Sequence, residues 1–132
     1  MARRADRDRR AGEDRRRGLA NLLGADAERL ALVLLVLKGY WPLARRFRGG
    51  GGEIDLVMRR GRTVVAVEVK ARPSLDQAAA ALTPAKLQRI ARALGAFRAG
   101  RNLDDSFSYR CDAVLVAPRR WPRHLVNIGL PG

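Results

Sequence analysis

The feature that most limits what this chain can fold into is an alternation of side chains over Gly52–Arg72, GEIDLVMRRGRTVVAVEVKAR. Ile54–Arg59 and Thr63–Lys70 are rich in β-branched and apolar residues, and Arg60-Gly61-Arg62 between them has turn chemistry, so the stretch predicts a β-hairpin. With Arg60 and Gly61 as a two-residue loop, Arg59 faces Arg62, Glu53 faces Glu68 and Asp55 faces Ala66. One face then carries Glu53, Asp55, Val57, Val64, Ala66, Glu68 and Lys70. The other carries Ile54, Leu56, Met58, Val65, Val67 and Val69, an unbroken apolar layer. A slip of one residue would bury the carboxylates, which fixes the register.

The polar face is graded along its length. Val57, Val64 and Ala66 lie toward the turn, whereas Glu53, Asp55, Glu68 and Lys70 gather at the open end. In this register Asp55 and Glu68 are diagonal neighbours, roughly 7–8 Å apart, a gap two carboxylates can close around a cation. Like charges across a sheet repel, and a single Lys cannot neutralise three carboxylates. A divalent metal on an all-oxygen site, Mg²⁺ or Mn²⁺, resolves the conflict for the set, although any one of these residues alone reads better as part of a solvated cross-strand salt bridge.

An Asp on one strand and Glu-x-Lys on the next, joined by a tight turn, resembles the core of the PD-(D/E)XK nuclease superfamily. GEIDL followed by VEVK is more closely similar to the YraN family of endonuclease-like bacterial proteins. The resemblance covers about Gly24 to Leu130. It implies a restriction-endonuclease-like α/β sandwich, a mixed central sheet flanked by helices. It also implies metal-dependent hydrolysis of phosphodiester bonds, structure-selective in the manner of Holliday-junction resolvases. E-x-K alone is a weak signal, and the resemblance rests chiefly on Asp55, Glu68 and Lys70 together.

Composition agrees on a polyanionic partner. The 132 residues hold 27 Lys and Arg against 13 Asp and Glu, a net charge of +14 and a pI near 11.6. That suits nucleic acid, and equally a ribosome-like assembly protein or an anionic surface. A chain of this length supports one domain, expected over 24–132, after a basic arm over 1–23 without apolar periodicity. The single cysteine, Cys111, excludes an internal disulfide and a Cys-based zinc cluster, and its apolar strand suggests a small buried side chain. Leu30–Leu37 is too short to span a bilayer, so a soluble cytoplasmic protein without a membrane partner is expected.

Along the chain, Asp26 is placed to cap a first helix and Gly39 to end it, and Leu30–Leu37 is apolar on all sides, which predicts burial all round. Glu28 in the first turn suits the helix N-terminus. By the resemblance, in a pattern like A-E-x-x-A, it completes the metal site from the helix side. Tyr40–Arg48 reads as an edge strand interrupted by Pro42. Arg45, Arg46 and Arg48 then precede Gly49–Gly52, a run suited to close approach to a ligand or to a flexible connection. Leu75–Leu82 is partly helical by composition. Thr83 caps a further helix with Pro84 at its first position, and Leu87, Ile90, Ala91, Leu94 and Phe97 mark its core face. Lys86 and Gln88 lie elsewhere on that helix; T-x-x-K at Thr83 and Lys86 matches the family pattern. Strands follow at Tyr109–Ala117 and His124–Leu130. Asp112 reads as structural, paired with an Arg, and the lone His124 supplies neither a metal cluster nor a triad. Trp41 and Trp121 offer either stacking surfaces for bases or packing at core and edge.

The expected function is therefore a Mg²⁺- or Mn²⁺-dependent nuclease on DNA, ahead of RNA. Asp55, Glu68, Glu28 and the Val69 carbonyl hold the metal, Lys70 handles the attacking water, and Arg45, Arg46, Arg48, Arg72 and Lys86 grip the backbone, with Glu53 and Gln88 as accessory groups. A non-catalytic nucleic-acid-binding module of the same fold is the competing reading. The oligomeric state, a homodimer included, stays open.

Overall fold

The computed structural model describes residues 7, 9, 10 and 25–129. Apart from Arg7, Arg9 and Arg10, which are exposed, the arm expected over 1–23 lies outside the described residues. Helix α1 covers residues 25–37. The strands β1 (Trp41–Gly49), β2 (Gly52–Arg60) and β3 (Thr63–Ala71) follow, then helices α2 (Leu75–Ala80) and α3 (Pro84–Gly100), then β4 (Ser108–Val116) and β5 (Arg123–Leu125). The sheet order is β1-β2-β3-β4-β5. β3 and β4 run parallel across the helical crossover, and the other pairs are antiparallel. This is the mixed, helix-flanked α/β sandwich that the resemblance implies.

Two apolar layers sandwich the sheet. Ala27, Ala31 and Leu35 of α1 pack on Leu56, Met58, Val65, Val67, Val69 and Val114. Ile90, Ala93, Leu94 and Phe97 of α3 pack on Val57, Val64, Ala66 and Cys111. Each fully buried side chain of this size contributes roughly 1.5–3 kcal/mol relative to exposure. The apolar turn end of the graded face is thus covered by α3, and its acidic end is left for the site. On α3 itself Ile90, Leu94 and Phe97 are buried as expected, with Ala93 fully buried and Ala91 only half-buried.

The start of α3 and the end of α1 read as the sequence suggests, whereas the Asp26 cap does not. Thr83 Oγ1 accepts the Lys86 backbone N–H at 3.3 Å with Pro84 following, and Ser74 caps α2. Gly39, at φ +92°, ends α1, where Gly39 N–H reaches Val36 O and Tyr40 N–H reaches Leu35 O. Asp26 lies inside the helix, which already includes residue 25.

Five expectations are corrected. The hairpin loop is Gly61-Arg62, with Arg60 opposite Thr63 and Arg59 opposite Val64. Gly61, at φ +60°, takes the first loop position, the one that demands Gly in a type II′ turn. The two-residue shift keeps every side chain on its face but changes its partner. α1 is buried on one side only: Leu30, Val33, Val36 and Leu37 are exposed, because the helix covers the sheet and no described element covers the helix. The last strand is only Arg123–Leu125; beyond it the chain is held by Asn127 N–H to Asp112 and Ile128 N–H to Cys111 O. Trp41 and Trp121 pack in neither core nor edge, being 75% and 92% exposed. The glycine run is not a flexible connection but a tight turn seated against helix α3. Gly50 and Gly51 (φ +58° and +79°) form the β1–β2 turn, and a Cβ on Gly52 would stand 2.2 Å from Arg89 O.

Asp112 is structural, as expected. It is fully buried, takes two bonds from Arg110 at 2.8 Å, and accepts from Asn127 N–H at 2.9 Å. His124 Nε2 lies 2.7 Å from it, and Lys38 Nζ lies 2.9 Å from His124 Nδ1. An ammonium only donates, so Nδ1 accepts and the Nε2 proton points to Asp112. Burial alone would raise the Asp112 carboxyl, but the bonds from His124 and Arg110 outweigh it and hold it near 2. Burial and the neighbouring Asp112 charge push the Cys111 thiol up to about 12, which leaves it an inert core residue.

Candidate active site

The site begins with a break in the sheet. The β2–β3 ladder ends at Leu56 opposite Val67, and the β1–β2 ladder runs past Arg46 and Asp55 without pairing them. Asp55 is thus where β2 parts from β3 and skips one pairing with β1. Arg46, across from it, sits at φ +52°, a conformation that costs a non-glycine residue on the order of 1–3 kcal/mol. Beyond the break the side-chain alternation changes sense. Ile54 is buried with Phe47 and the α3 cluster instead of with Leu56 and Met58. Glu53 stands opposite Arg48, 3.7 Å from its guanidinium and half-exposed, so it faces neither Glu68 nor the cluster.

The parting of β2 from β3 would orphan the Val69 N–H. The Asp55 carboxylate takes it instead, with Oδ2 accepting at 2.8 Å. That bond locks Asp55 against β3, and continuing the observed register by one residue sets it level with Glu68 rather than diagonal to it. Glu68 is 4% exposed and Lys70 8%. Glu68 Oε1 meets two ammonium groups, Lys70 Nζ at 3.1 Å and Lys86 Nζ at 3.2 Å. Lys86 is delivered by the capped first turn of α3. Glu28, on α1, is largely buried and receives Arg46 Nε at 3.3 Å.

These neighbours set the protonation. Burial raises the Asp55 carboxyl to about 7, and the charge of Glu68 and then of Glu28 adds to it against the Val69 bond and Lys70. Burial lowers the Lys70 ammonium, and contact with Lys86 lowers it further against the pull of Glu68. For Lys86 burial is outweighed by its contacts with Lys70 and Glu68, and it is raised. Of the two amines, Lys70 gives up its proton first.

The structure therefore brings together Glu28, Asp55, Glu68 and Lys70, and adds Lys86 as a direct partner of Glu68. Arg46 lies against Glu28. Arg45 and Arg48 are exposed on β1, and Arg72 is exposed where β3 ends, its guanidinium on Ala71 O. Gln88 is exposed on α3, outside the cluster. An open groove of about 650 Å³ adjoins Lys86, lined by Arg48, Gly49, Gly52, Glu53 and Arg89. Sequence reading missed Arg89. The signal was available in its spacing from Lys86, three residues and hence one helical turn, on the same side of α3.

A model of the Uncharacterised protein family UPF0102 matches residues 27–116, a span from Glu28 past Asp112 that contains the whole cluster. The chain belongs to UPF0102. Among UPF0102 proteins, one from Methylobacterium nodulans is 58% identical over 113 residues, 86% of this chain and 88% of the relative. One from Methylorubrum extorquens is 59% identical over 104 residues, 79% of this chain and 81% of the relative. Among solved structures, the Archaeoglobus fulgidus Hjc, described as a Holliday junction resolvase from an archaeal hyperthermophile, matches with a TM-score of 0.49 and 25% identity. That match covers 78% of this chain and 71% of the resolvase.

In this UPF0102 chain, no three His, Cys, Asp or Glu side chains among the described residues converge closely enough to cage a metal ion by themselves. Mg²⁺, however, is usually held by one or two carboxylates together with water and substrate phosphates. Asp55 and Glu68, side by side with Asp55 raised well above its usual range by burial and by the charge of Glu68, are a donor set of that kind. Among the described residues no helix is long and apolar enough to cross a membrane.

Proposed function

We propose that this UPF0102 protein is a divalent-metal-dependent nuclease that hydrolyses phosphodiester bonds in nucleic acid, DNA ahead of RNA. The observation that carries this reading is the break at Asp55, which holds an uncompensated carboxylate beside Glu68 with Lys70 at hand. Asp55 and Glu68, supported by Glu28 and the Val69 carbonyl, would hold Mg²⁺ or Mn²⁺. When bound, the cation supplies positive charge to the scissile phosphate and the departing oxygen. Lys70, buried and next to Lys86, is the amine suited to orient the attacking water and take its proton. The water oxygen bonds to phosphorus as the bond to the leaving sugar oxygen breaks. Lys86 keeps its charge and balances Glu68. The guanidinium groups of Arg45, Arg48, Arg72 and Arg89 suit the flanking phosphates.

The test is cleavage of labelled DNA and RNA duplexes, flaps and junctions at low salt with Mg²⁺ or Mn²⁺. Asp55→Ala should abolish cleavage, and Lys70→Ala should slow it by about 10²–10⁴-fold, the usual worth of a positioned acid–base group. A second reading, a nucleic-acid-binding module that does not cut, is favoured by one observation: Glu68 is already claimed by two ammonium groups. Binding without cleavage in any metal, unchanged in Lys70→Ala, would establish that reading in place of the nuclease.

A further inference from the structure

The segment joining β4 to β5, with the first residue of β5, reads APRRWPR over Ala117–Arg123, with three arginines, no acid and Trp121 at its tip. Burial would be the ordinary fate of so large an apolar ring, yet Trp121 is 92% exposed. The loop is also shaped. Pro118 and Pro122 bracket it, Arg119 stands at φ +61°, and Arg120 N–H closes a turn on Ala117 O at 3.3 Å. Arg119, Arg120 and Arg123, its neighbours in the chain, are all exposed.

Its position follows from the register. Lys70 pairs with Leu115 on β4, and Leu115 pairs with Arg123 on β5, so the three lie in one row across the sheet. β5 is antiparallel to β4, so Trp121, two residues before Arg123, projects past the same end of the sheet as Arg72. Strand spacing and rise put its backbone on the order of 12 Å from that of Lys70. Arg72, bonded through its N–H to Val116 O, bridges the interval.

We propose that Trp121 is a stacking platform for an unpaired base, so that this site selects nucleic acid with single-stranded or unstacked nucleotides beside the Asp55–Glu68–Lys70 cluster. The proposal rests on the nuclease reading for the kind of ligand, and it adds the structural class of the substrate. In a duplex the base faces are covered by their neighbours. A ring held in solvent among arginines meets a base face only where the stack is open, while the guanidinium groups hold the adjoining phosphates. Trp41 supplies an internal control. It is also exposed, but it pairs with Arg59 at the opposite end of β2 from the cluster.

The experiment uses the full chain in EDTA, where binding is read without cleavage, with oligothymidylate and a blunt mixed-sequence duplex as probes. In Trp41→Phe the emission of Trp121 should be quenched by saturating oligothymidylate and left unmoved by the duplex. In Trp121→Phe the emission of Trp41 should respond to neither. Trp121→Ala, at an exposed position where folding is unaffected, should weaken oligothymidylate binding by about 5-fold or more, with duplex binding unchanged. Trp121 emission that ignores saturating oligothymidylate, or equal loss of affinity for both probes, overturns the platform. So does emission that changes with protein concentration alone, which would mark a contact between copies of the chain. A chain that cleaves with Trp121 silent defeats the platform only; a chain that binds neither probe defeats the nuclease reading with it.

Discussion

A carboxylate that accepts a backbone N–H from the next strand while facing a second carboxylate is fixed in place and short of countercharge at once, and Asp55 is in that position. Its proton affinity makes the consequence measurable. The carboxyl sits near 7 in the folded chain against an ordinary 3.8, so folding favours the neutral form. The stability this contributes is complete below about pH 4 and is lost as pH rises through about 7. Asp55→Asn, which keeps an oxygen for the Val69 N–H, should therefore add stability on the order of 2 kcal/mol in EDTA at pH 8, seen as a raised Tm, and leave Tm unchanged at pH 4. Millimolar Mg²⁺ should raise the Tm of the wild type at pH 8 and not that of the variant. Thermal melts of both chains at the two pH values decide this, and a variant that is less stable at pH 8 would count against the assigned cause.

At the scale of elements, the alternation over Gly52–Arg72 was legible because a strand has only two faces, and an even-numbered slip leaves both intact. Asp55, Glu68 and Lys70 were therefore expected together, and they lie together, even though the loop is Gly61-Arg62 and not Arg60-Gly61. Arg60-Gly61-Arg62 offers glycine to either placement, and only the required backbone angle at Gly61 chooses. Glu53 and Ile54 were misplaced for a different reason. The break at Asp55 reverses the pattern, and nothing in a run of alternating residues announces where pairing stops. The outer side of α1 was misread because hydropathy records what a helix can bury, not how many neighbours it has. The glycine run illustrates a third limit, since its partner is a helix far along the chain. Gly52→Ala should cost about 1–3 kcal/mol by forcing the β1–β2 turn off Arg89 O. At Gly51 a Cβ would meet nothing within 4 Å, so Gly51→Ala should cost only the left-handed backbone term, roughly 1–2 kcal/mol. Gly52→Ala should be the costlier of the two in urea titration, and a loss at Gly51 equal to it or larger would contradict the close approach of turn and helix.

For the whole molecule the governing quantity is the excess of 14 positive charges. Much of it is local: Arg46, Lys70 and Lys86 are each engaged by a carboxylate, whereas Arg45, Arg72 and Arg89 lie exposed around the acidic end of the sheet. Affinity for duplex should fall steeply and linearly with the logarithm of salt concentration. Arg72→Ala or Arg89→Ala should each lower that slope by about one, with little dependence on sequence. Anisotropy titrations at several salt concentrations measure it, and a slope untouched by either change would place the phosphate path elsewhere. The glycine turn also has a bearing on how the chain assembles. A two-residue hairpin loop closes in about 1–10 μs by itself, but this one seats only against the carbonyls of Arg89 and Arg92, whose helix is made from chain that follows β3. A turn that closes early is therefore sealed only by distant sequence, once α3 has docked against it.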